Sequence, residues 1–213
     1  MKNGIEEVYQ YHHRSRPSGF AVLSDERGKF FNDWIGAGKS VLDLGCRDGT
    51  LARYFLKDNK VFGADIDAKA LQKAAENGII TSQIDLNGSW EYLDGGKFDA
   101  VVAAEVLEHL YFPEVVLEKI FGVLKQGGIL VGSVPNAFSL KNRIRLFWGR
   151  KKNTSLGDPT HINHFSFGEL NQLLKKRFIK VQIKPLVRYP FGLFAKFVPG
   201  LVAYNFVFLA KKS

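Results

Sequence analysis

One stretch decides the fold: Val41-Leu42-Asp43-Leu44-Gly45-Cys46-Arg47-Asp48-Gly49-Thr50. An apolar run ends at an acid, and two glycines follow before the apolar and aromatic residues of positions 51–55. Glycine lets a backbone turn sharply and approach a ligand closely. The stretch therefore predicts a buried strand, then a turn that binds a ligand, then the start of a helix.

Apolar runs of similar length recur along the chain and alternate with helical patterns. Asp67 can cap one helix, with Gly78 ending it, and Pro113 suits the first turn of another that reaches about Lys125. Strands separated by helices in this way form parallel sheets covered on both faces. The predicted parallel strands are Ser40–Leu44, Lys60–Asp65, Ile79–Asp85, Phe98–Ala103 and Gly128–Val134.

Two further strands are predicted near the C-terminus, at Phe178–Leu186 and Leu201–Ala210, with only a loop region between them. A capping-box pattern at Ser166 starts the helix that precedes them. Without a crossover helix, this pair is expected to be antiparallel. The predicted fold class is therefore α/β, a doubly wound Rossmann-like sheet of seven strands, mostly parallel with an antiparallel C-terminal strand.

The composition bounds the compartment and the partners. The 213 residues are 46% apolar and 24% charged, as in ordinary globular domains. The single cysteine, Cys46, excludes an internal disulfide and favours a reducing compartment. No signal peptide or membrane-spanning window is recognised, so we expect a cytoplasmic location. The formal net charge of +9 favours anionic partners, namely nucleic acid, acidic lipid or phosphorylated small molecules.

The glycine loop does not match the dinucleotide pattern Gly-x-Gly-x-x-Gly, because Arg47 and Thr50 hold two of the glycine positions. Asp43 and Asp48 also bring negative charge to a turn where a pyrophosphate needs open amides. A cationic ligand is the better electrostatic match, and S-adenosylmethionine carries both a sulfonium and an ammonium group. Asp65, 22 residues after Asp43, is spaced to accept from ribose hydroxyls.

Four blocks in this order resemble the class I S-adenosylmethionine-dependent methyltransferases. The resemblance is closest to the small branch that includes the ubiquinone-biosynthesis O-methyltransferases. The blocks are Val-Leu-Asp-Leu-Gly-Cys (41–46), Val-Phe-Gly-Ala-Asp-Ile (61–66), Phe-Asp-Ala-Val-Val-Ala-Ala-Glu-Val-Leu-Glu-His-Leu (98–110) and Leu-Lys-Gln-Gly-Gly-Ile-Leu (124–130). The resemblance is clear over residues 38–135 and looser over 158–212, and it implies a methyltransferase that uses S-adenosylmethionine.

The resemblance also implies which residues hold the cofactor. The methionine end would lie near Asp43, the ribose on Asp65 and the adenine against Ile66. The full set of implied cofactor residues is Asp43, Gly45, Cys46, Gly49, Asp65, Ile66, Asp85, Leu86, Ala104 and Glu105. One departure is Arg47, which stands where the family loop usually has glycine. Its side chain must point away from the ligand or reshape the pocket.

Several of these residues also have purely structural interpretations. Asp65 and Asp85 could each cap the turn that follows its strand. Cys46 is more readily explained as a packing residue than as a nucleophile, because nothing nearby would activate a thiolate. His12 and His13 stand in a polar N-terminal stretch that is either a frayed terminus or part of a lid.

A basic segment, Ser139–Gly149, has apolar residues near helical spacing with lysine and arginine between them, and three further basic residues follow at 150–152. This pattern suits a membrane surface or an anionic substrate. The alternative is an ordinary amphipathic helix over the active site with a solvated basic face. Aromatic residues of the C-terminal hairpin, Phe191, Phe194 and Phe197, together with Trp148, favour a lipid-like or bulky acceptor.

A histidine-rich turn, Asp158–Phe165, supplies candidate catalytic groups. His161 or His164 is predicted to be the general base for an acceptor hydroxyl, since an unperturbed histidine titrates near neutrality. His109 either takes part in the chemistry or only supports its loop. No metal site is predicted, because no third ligand is evident near the two histidines of the turn.

The sequence therefore predicts an enzyme that methylates a small or lipid-like acceptor on oxygen. The alternatives are an RNA methyltransferase, favoured by the charge, and a non-catalytic S-adenosylmethionine-binding protein. We expect one domain over residues 1–213. Its parts are an N-terminal helical lid (1–37), a cofactor-binding core (38–135), an acceptor-side helical region (136–177) and a C-terminal hairpin (178–213). The sequence does not indicate the oligomeric state.

Overall fold

Seven strands form one sheet in the computed structural model, which describes residues 18–90, 97–187 and 192–213. The strands are β1 (Ser40–Leu44), β2 (Lys60–Asp65), β3 (Ile80–Gln83), β4 (Phe98–Ala104), β5 (Leu124–Pro135), β6 (Lys180–Leu186) and β7 (Asn205–Lys211). Their order across the sheet is β3-β2-β1-β4-β5-β7-β6. The first five are parallel, and β7 runs antiparallel between β5 and β6. This architecture confirms the predicted fold class.

Local sequence explains where the main helices begin. The Asp67 side chain accepts from the backbone N–H of Lys69 at 3.0 Å, and Pro113 is the first residue of its helix. Ser166 and Glu169 form the predicted capping box. The α-helices are α1 (Ser24–Ile35), α2 (Ala68–Glu76), α3 (Pro113–Val123), α4 (Leu140–Phe147), α5 (Phe167–Lys175) and α6 (Pro199–Val202).

Both faces of the sheet are covered, which explains why its central strands are apolar on both sides. On one face, Leu42 of β1 belongs to a core that includes Leu117 of α3 and Leu170 of α5. On the other face, Val41 of β1 packs in a second core with Phe31 of α1. Alternate residues of one strand thus serve two separate cores.

The strand ends differ from the bounds expected from sequence. β3 is shorter than predicted, because Asp85 accepts from the backbone N–H of Asn87 and starts a turn. β5 is longer, since α3 ends at Val123 and the chain enters the sheet at once. β6 and β7 begin later than predicted. Pro199 starts the short helix α6 where the expected loop and the first residues of β7 would lie.

The order of strands reverses at β1, which lies between β2 and β4. Ligands of open α/β sheets bind at the carboxyl ends of the strands at such a point. Asn205, the first residue of β7, pairs with Pro135 and Leu186, so the segments after β5 and before β7 reach the same edge. No helix in the described ranges is long and apolar enough to cross a membrane.

Candidate active site

A cleft opens at the carboxyl ends of β1, β2 and β4 and holds about 1100 Å³ of space, part of it open to solvent. Nine of the ten predicted cofactor residues line it: Asp43, Gly45, Cys46, Asp65, Ile66, Asp85, Leu86, Ala104 and Glu105. Gly49 is not among the lining residues. Its φ of +76° and its N–H bond to the Cys46 carbonyl at 2.9 Å close the turn instead.

Asp43 provides a buried carboxyl group with spare bonding capacity. The residue is 2% exposed, and its Oδ2 has no hydrogen-bond partner among the described residues. Burial, followed by the charge of Asp65, raises the pKa of Asp43 to about 8, although Arg27 opposes the shift. A buried carboxylate is stable only with a positive or hydrogen-bonding partner, so this atom is suited to receive a cationic donor.

The loop after β1 explains how Arg47 occupies a glycine position. Arg47 adopts a left-handed backbone with φ of +51°, a conformation that most side chains rarely adopt. Its backbone N–H donates to Asp65 Oδ2 at 2.9 Å, and its Nη1 donates to the Phe20 carbonyl at 3.0 Å. The side chain is thus held by an N-terminal segment. At Gly45, by contrast, a side chain is excluded by its neighbours, because a Cβ there would lie 2.8 Å from Val106 Cγ2.

Asp65 connects the loop after β1 with the turn that starts α2. Its Oδ1 accepts from the backbone N–H of Asp67 at 2.9 Å, while its Oδ2 holds the Arg47 amide. The carboxylate therefore organises its own turn, as the structural interpretation expected, and it also lines the cleft. Each oxygen has a second lone pair, so these bonds do not preclude acceptance from a ribose.

The far wall of the cleft is apolar. Ile66 follows β2, and Ile84 and Leu86 flank Asp85 beyond β3. Asp85 Oδ1 caps its own turn by accepting from Asn87, which is one of the two interpretations left open for it. This wall offers an apolar contact of the kind an adenine ring needs.

Cys46 lines the cleft but is largely a packing residue. It is 5% exposed, and a Cβ on Gly63 would lie 2.6 Å from its Sγ, so the sulfur fills the space above that glycine. Burial raises the pKa of the thiol well above its usual value. The thiol is therefore not an activated nucleophile, as the sequence indicated.

Glu105 anchors a buried polar network. Its backbone is left-handed, with φ of +57°, and its Oε1 accepts from Ser133 Oγ at 2.8 Å and from Asn205 Nδ2 at 2.9 Å. Arg27 of α1 lies 3.6 Å from the same oxygen and donates to Ser133 at 3.0 Å. The Arg27 Nε is buried and has no hydrogen-bond partner among the described residues.

Sequence reasoning missed Arg27, although a signal was present. Arg27 shares a helical face with Phe31 and Ile35, which are both buried, so an arginine stands at a core position. A charged residue in such a place is rarely buried without a specific partner. The cleft gains a cation at its floor from a helix that lies before the first strand.

The segment of residues 18–22, which we call the N-terminal strap, lies within the predicted N-terminal lid of residues 1–37, although none of its residues was named as a site residue from sequence. Phe20, Ala21 and Val22 line the cleft. Asp48 Oδ2 accepts from Ser18 Oγ at 3.0 Å and from the Gly19 N–H at 2.9 Å. Although burial opposes the shift, these bonds and those from Thr50 lower the pKa of Asp48. The predicted lid residues His12 and His13 lie outside the described residues.

His109 is the predicted catalytic histidine that reaches the cleft wall. Its Nδ1 lies 2.9 Å from the Thr160 carbonyl, which can only accept, so Nδ1 carries the proton and Nε2 keeps a lone pair. Burial lowers the pKa of His109 to about 4. The ring is therefore neutral at physiological pH.

The other two predicted histidines are placed differently. His161 packs edge to face on His109, with ring centroids 4.8 Å apart, and its Nδ1 lies 3.1 Å from the Ser155 carbonyl. Burial lowers the pKa of His161 as well. His164 is not among the residues that line the cleft. His109 is therefore better placed than His164 to contact an acceptor in the cleft.

The expectation that no third metal ligand lies near the histidine turn needs correction. Glu108, His109 and His161 offer ligand atoms that all lie within 4.8 Å of one another. Glu108 is 1% exposed and adjoins the turn, because its carbonyl accepts from the Ile162 and Asn163 amides. The sequence hid this because 52 residues separate His109 from His161. The three groups could hold a divalent ion.

Comparison with known proteins agrees with the fold. A family model described as a methyltransferase domain matches residues 11–177. The chain is 29% identical over 139 residues to the ubiquinone biosynthesis O-methyltransferase of Escherichia fergusonii. The aligned region covers 62% of this chain and 55% of that protein. It is 33% identical over 108 residues to a Pseudomonas putida protein named "Probable fatty acid methyltransferase". That aligned region covers 46% of this chain and 27% of the Pseudomonas protein. The chain thus spans between a quarter and about half of these relatives.

Solved structures share the whole fold. A crystal structure of an S-adenosylmethionine-dependent methyltransferase from Thermotoga maritima superposes with a TM-score of 0.70 at 18% identity, covering 98% of both chains. One from Archaeoglobus fulgidus gives 0.68 at 19% identity, covering 96% of this chain and 99% of that one. The chain belongs to the methyltransferase-domain family, and it shares its fold with solved S-adenosylmethionine-dependent methyltransferases.

The residues of the cleft fit the cofactor that this membership implies. An ammonium group needs an anion, and Asp43 Oδ2 is buried without a hydrogen-bond partner among the described residues. A carboxylate needs a cationic donor, and the Arg27 Nε is buried and lacks a hydrogen-bond partner within the described part of the chain. Gly45 leaves room for close approach of the backbone, because it lacks the Cβ that would meet Val106. Both charged ends of an amino acid therefore have a complementary group in the cleft.

Proposed function

We propose that the protein transfers a methyl group from S-adenosylmethionine to a hydroxyl oxygen of a small, lipid-like acceptor, with His109 as the general base. The observation that carries this proposal is the His109 ring at the cleft wall, with Nδ1 fixed by the Thr160 carbonyl. That bond leaves Nε2 as the proton acceptor. Family membership supports the methyl transfer, and the histidine supports oxygen as the receiving atom.

The cleft residues divide the task of holding the cofactor. Asp43 binds the ammonium group and the Arg27 Nε binds the carboxylate of the methionine end. Asp65 accepts from the ribose, and Ile66 with Leu86 contacts the adenine. Charge-assisted hydrogen bonds of this kind are about twice as strong as neutral ones, so the two buried ends dominate affinity.

S-adenosylmethionine supplies an activated methyl group and departs as a neutral thioether, so its departure needs no acid. The protein must bring the acceptor oxygen into line, exclude water and receive one proton. His109 Nε2 takes the hydroxyl proton as the oxygen bonds to the methyl carbon. The resulting imidazolium is stabilised by the nearby charges of Asp158 and Glu105, both of which raise the pKa of His109 against the effect of burial.

The surroundings of His109 support an apolar acceptor. Tyr111 and Phe112 follow the cleft residue Leu110 and are 52% and 70% exposed, and Ile162 is 48% exposed on the adjoining turn. Exposed aromatic side chains beside a cleft are typical of a binding site for an apolar molecule. The names of the Escherichia and Pseudomonas relatives, which refer to ubiquinone biosynthesis and fatty acid, agree with such an acceptor.

Replacement of single histidines tests the base. We expect His109→Gln to lower kcat on a phenolic or long-chain hydroxyl acceptor by at least about a hundredfold. The Kd for S-adenosylmethionine, measured by calorimetry, should stay within about threefold, because glutamine preserves much of the volume. His164→Gln is the matched control, since His164 does not line the cleft, and its turnover should persist. Full turnover of His109→Gln would remove His109 from the chemistry.

A further inference from the structure

The helix α4 turns its apolar side chains toward solvent. Asn142 is the residue of α4 that is buried, and its Nδ2 donates to the Asn136 carbonyl at 3.1 Å, which fixes the helix to the end of β5. Ile144 is 52% exposed, Phe147 82% and Trp148 70%. An ordinary surface helix does the opposite and buries its apolar stripe. The alternative of an ordinary amphipathic helix that buries its apolar stripe does not fit this exposure.

A second exposed apolar group lies beside α4. The helix contacts α6, which in turn contacts the short turn of residues 194–196. Leu193 and Phe197 flank that turn and are 78% and 84% exposed. We call Ile144, Phe147, Trp148, Leu193 and Phe197 the apolar tip surface. Two separate parts of the chain thus present large apolar side chains on elements that α6 connects.

The part of the sequence that carries this surface is strongly basic. Residues 119–213 contain 17 lysines and arginines but only two acids, Asp158 and Glu169, whereas residues 1–118 contain 13 basic and 19 acidic residues. Between Lys119 and Gly157 there is no acidic residue at all. The basic residues nearest to the tips in sequence are Lys141, Arg143, Arg145, Arg150, Lys151, Lys152 and Lys196. The net charge of +9 therefore comes from the part of the chain that carries the apolar tip surface.

We propose that the apolar tip surface docks onto an anionic lipid bilayer, with the tips inserted at the level of the headgroups and the surrounding lysines and arginines against the lipid phosphates. Exposed aromatic side chains next to basic residues are the features that hold peripheral proteins at such an interface. The charge complementarity identifies the occupant as an anionic surface.

The position of the surface links it to the cleft. α4 starts just beyond the end of β5, and α6 immediately precedes β7, so both lie at the carboxyl edge of the sheet where the cleft opens. A protein docked through this edge brings the cleft mouth to the membrane. This consequence rests on the proposed function, because it matters only if the acceptor is held in lipid.

Two other occupants fit the surface less well. A second copy of the chain would bring two basic surfaces together, which like charges oppose. Single-stranded nucleic acid binds through aromatic platforms along a basic groove, but Ile144 and Leu193 are aliphatic tips that cannot stack on bases. Both alternatives give distinct outcomes in the experiment below.

Vesicle co-sedimentation of the full chain tests the docking. We expect binding to vesicles of phosphatidylcholine mixed with phosphatidylglycerol, with weaker binding to phosphatidylcholine alone and a decline as salt increases. Phe147→Ser/Trp148→Ser should weaken partitioning at least about tenfold. Lys151→Glu should weaken it about fivefold or more, because each basic residue near the surface contributes separately.

Matched controls come from the opposite edge of the sheet. Ile179 is 71% exposed just before β6, at the end that pairs with Lys211, and Ile179→Ser removes a comparable apolar side chain there. Lys180→Glu makes the same charge change as Lys151→Glu at that far edge. Both control variants should sediment with anionic vesicles as the wild type does.

Three outcomes would overturn the docking proposal. The first is absence of wild-type binding to anionic vesicles at low salt. The second is equal loss of binding in the control variants. The third is that Phe147→Ser/Trp148→Ser instead abolishes self-association or retention of mixed RNA while vesicle binding persists. None of these measurements requires an acceptor or turnover, so failure of the methyl-transfer proposal would be seen separately in the His109 assay.

Discussion

Asp48 accepts a hydrogen bond from the backbone N–H of Gly19 at 2.9 Å, so the loop after β1 holds the N-terminal strap against the cleft. Arg47, the neighbouring residue, makes a parallel attachment through the Phe20 carbonyl. Two consecutive residues of the glycine loop thus bind the same segment. This relationship gives the departure at position 47 a physical role: the side chain that replaces glycine is used to hold the strap.

Arg47→Ala should therefore speed the release of cofactor. The variant loses the bond to Phe20 and keeps the Arg47 backbone bond to Asp65, so the strap is loosened while the ribose site is preserved. We expect the dissociation rate of S-adenosylhomocysteine to rise about fivefold, because a hydrogen bond contributes on the order of 1 kcal/mol. Stopped-flow displacement measures this rate. Lys57→Ala is the control, because it removes an exposed cation nearby; an Arg47→Ala rate equal to that of this control would contradict the role.

Asp43→Asn should stabilise the empty protein while weakening the binding of cofactor. In the unfolded chain this carboxyl ionises near pH 4, but in the fold its pKa is about 8. The fold is therefore penalised by about 1.4 kcal/mol for each pH unit from 4 up to 8. Asparagine does not ionise, so the Tm of the variant should exceed that of the wild type at pH 7, and the difference should vanish near pH 4.

The control for Asp43 is Asp99, whose pKa is shifted in the opposite direction. Although burial opposes the shift, the pKa of the Asp99 carboxyl is lowered because the Ser40 amide and the Lys125 side chain bind its charged form. Asp99→Asn should lower the Tm at pH 7. Calorimetry should show the Kd for S-adenosylmethionine rising at least about tenfold in Asp43→Asn and remaining unchanged in Asp99→Asn. An Asp43→Asn protein with unchanged affinity would remove Asp43 from the methionine site.

The pH dependence of stability should reveal the buried neutral state of His109. A histidine ionises near pH 6.5 when unfolded, but burial lowers the pKa of His109 to about 4. Its contribution to stability is complete above pH 6.5 and is lost as the pH falls toward 4. Urea unfolding at pH 7 and pH 4 should show the wild type losing about 3 kcal/mol more than His109→Gln. Parallel pH profiles for the two proteins would show that the ring is solvated.

Much of the cleft was predictable from sequence because its residues follow strand ends. The carboxyl ends of parallel strands meet at one edge, so Asp43, Asp65 and Glu105 converge although they are far apart in sequence. A lid over residues 1–37 was expected, but the contacts of Arg27 and of the N-terminal strap with the cleft were not predicted, because these residues approach from outside the strand order. Nothing in a local pattern shows that α1 lies over β5 and can deliver an arginine to Ser133.

The histidines and α4 show a second limit of sequence reasoning. Periodicity predicted the helix around residues 140–147 but not which side it buries, since an amphipathic pattern is the same whether its apolar side faces a core or a membrane. The histidine turn was recognised, yet only the fold shows that His109 lies at the cleft wall and that Glu108 stands beside His161. Contacts between segments about 50 residues apart leave no periodic signal.

Removal of divalent ions distinguishes proton acceptance by His109 from metal binding by Glu108, His109 and His161. Because proton acceptance is assigned to the His109 imidazole, treatment with EDTA should leave turnover within about twofold of the untreated protein, and added Mg²⁺ or Zn²⁺ should not raise it. Turnover that disappears with EDTA and returns with one of these ions would instead assign Glu108, His109 and His161 to metal binding. Ion-free buffer alone serves as the control for dilution.

The most direct test of the central claim is transfer of a labelled methyl group from S-adenosylmethionine to a cell extract that is then separated into lipid, small-molecule, RNA and protein fractions. We predict label in the lipid fraction that resists alkaline hydrolysis, as a methyl ether does, and that disappears with the His109→Gln protein. Label in the RNA or protein fraction would contradict the proposed acceptor. Tight cofactor binding without label in any fraction would contradict catalysis itself.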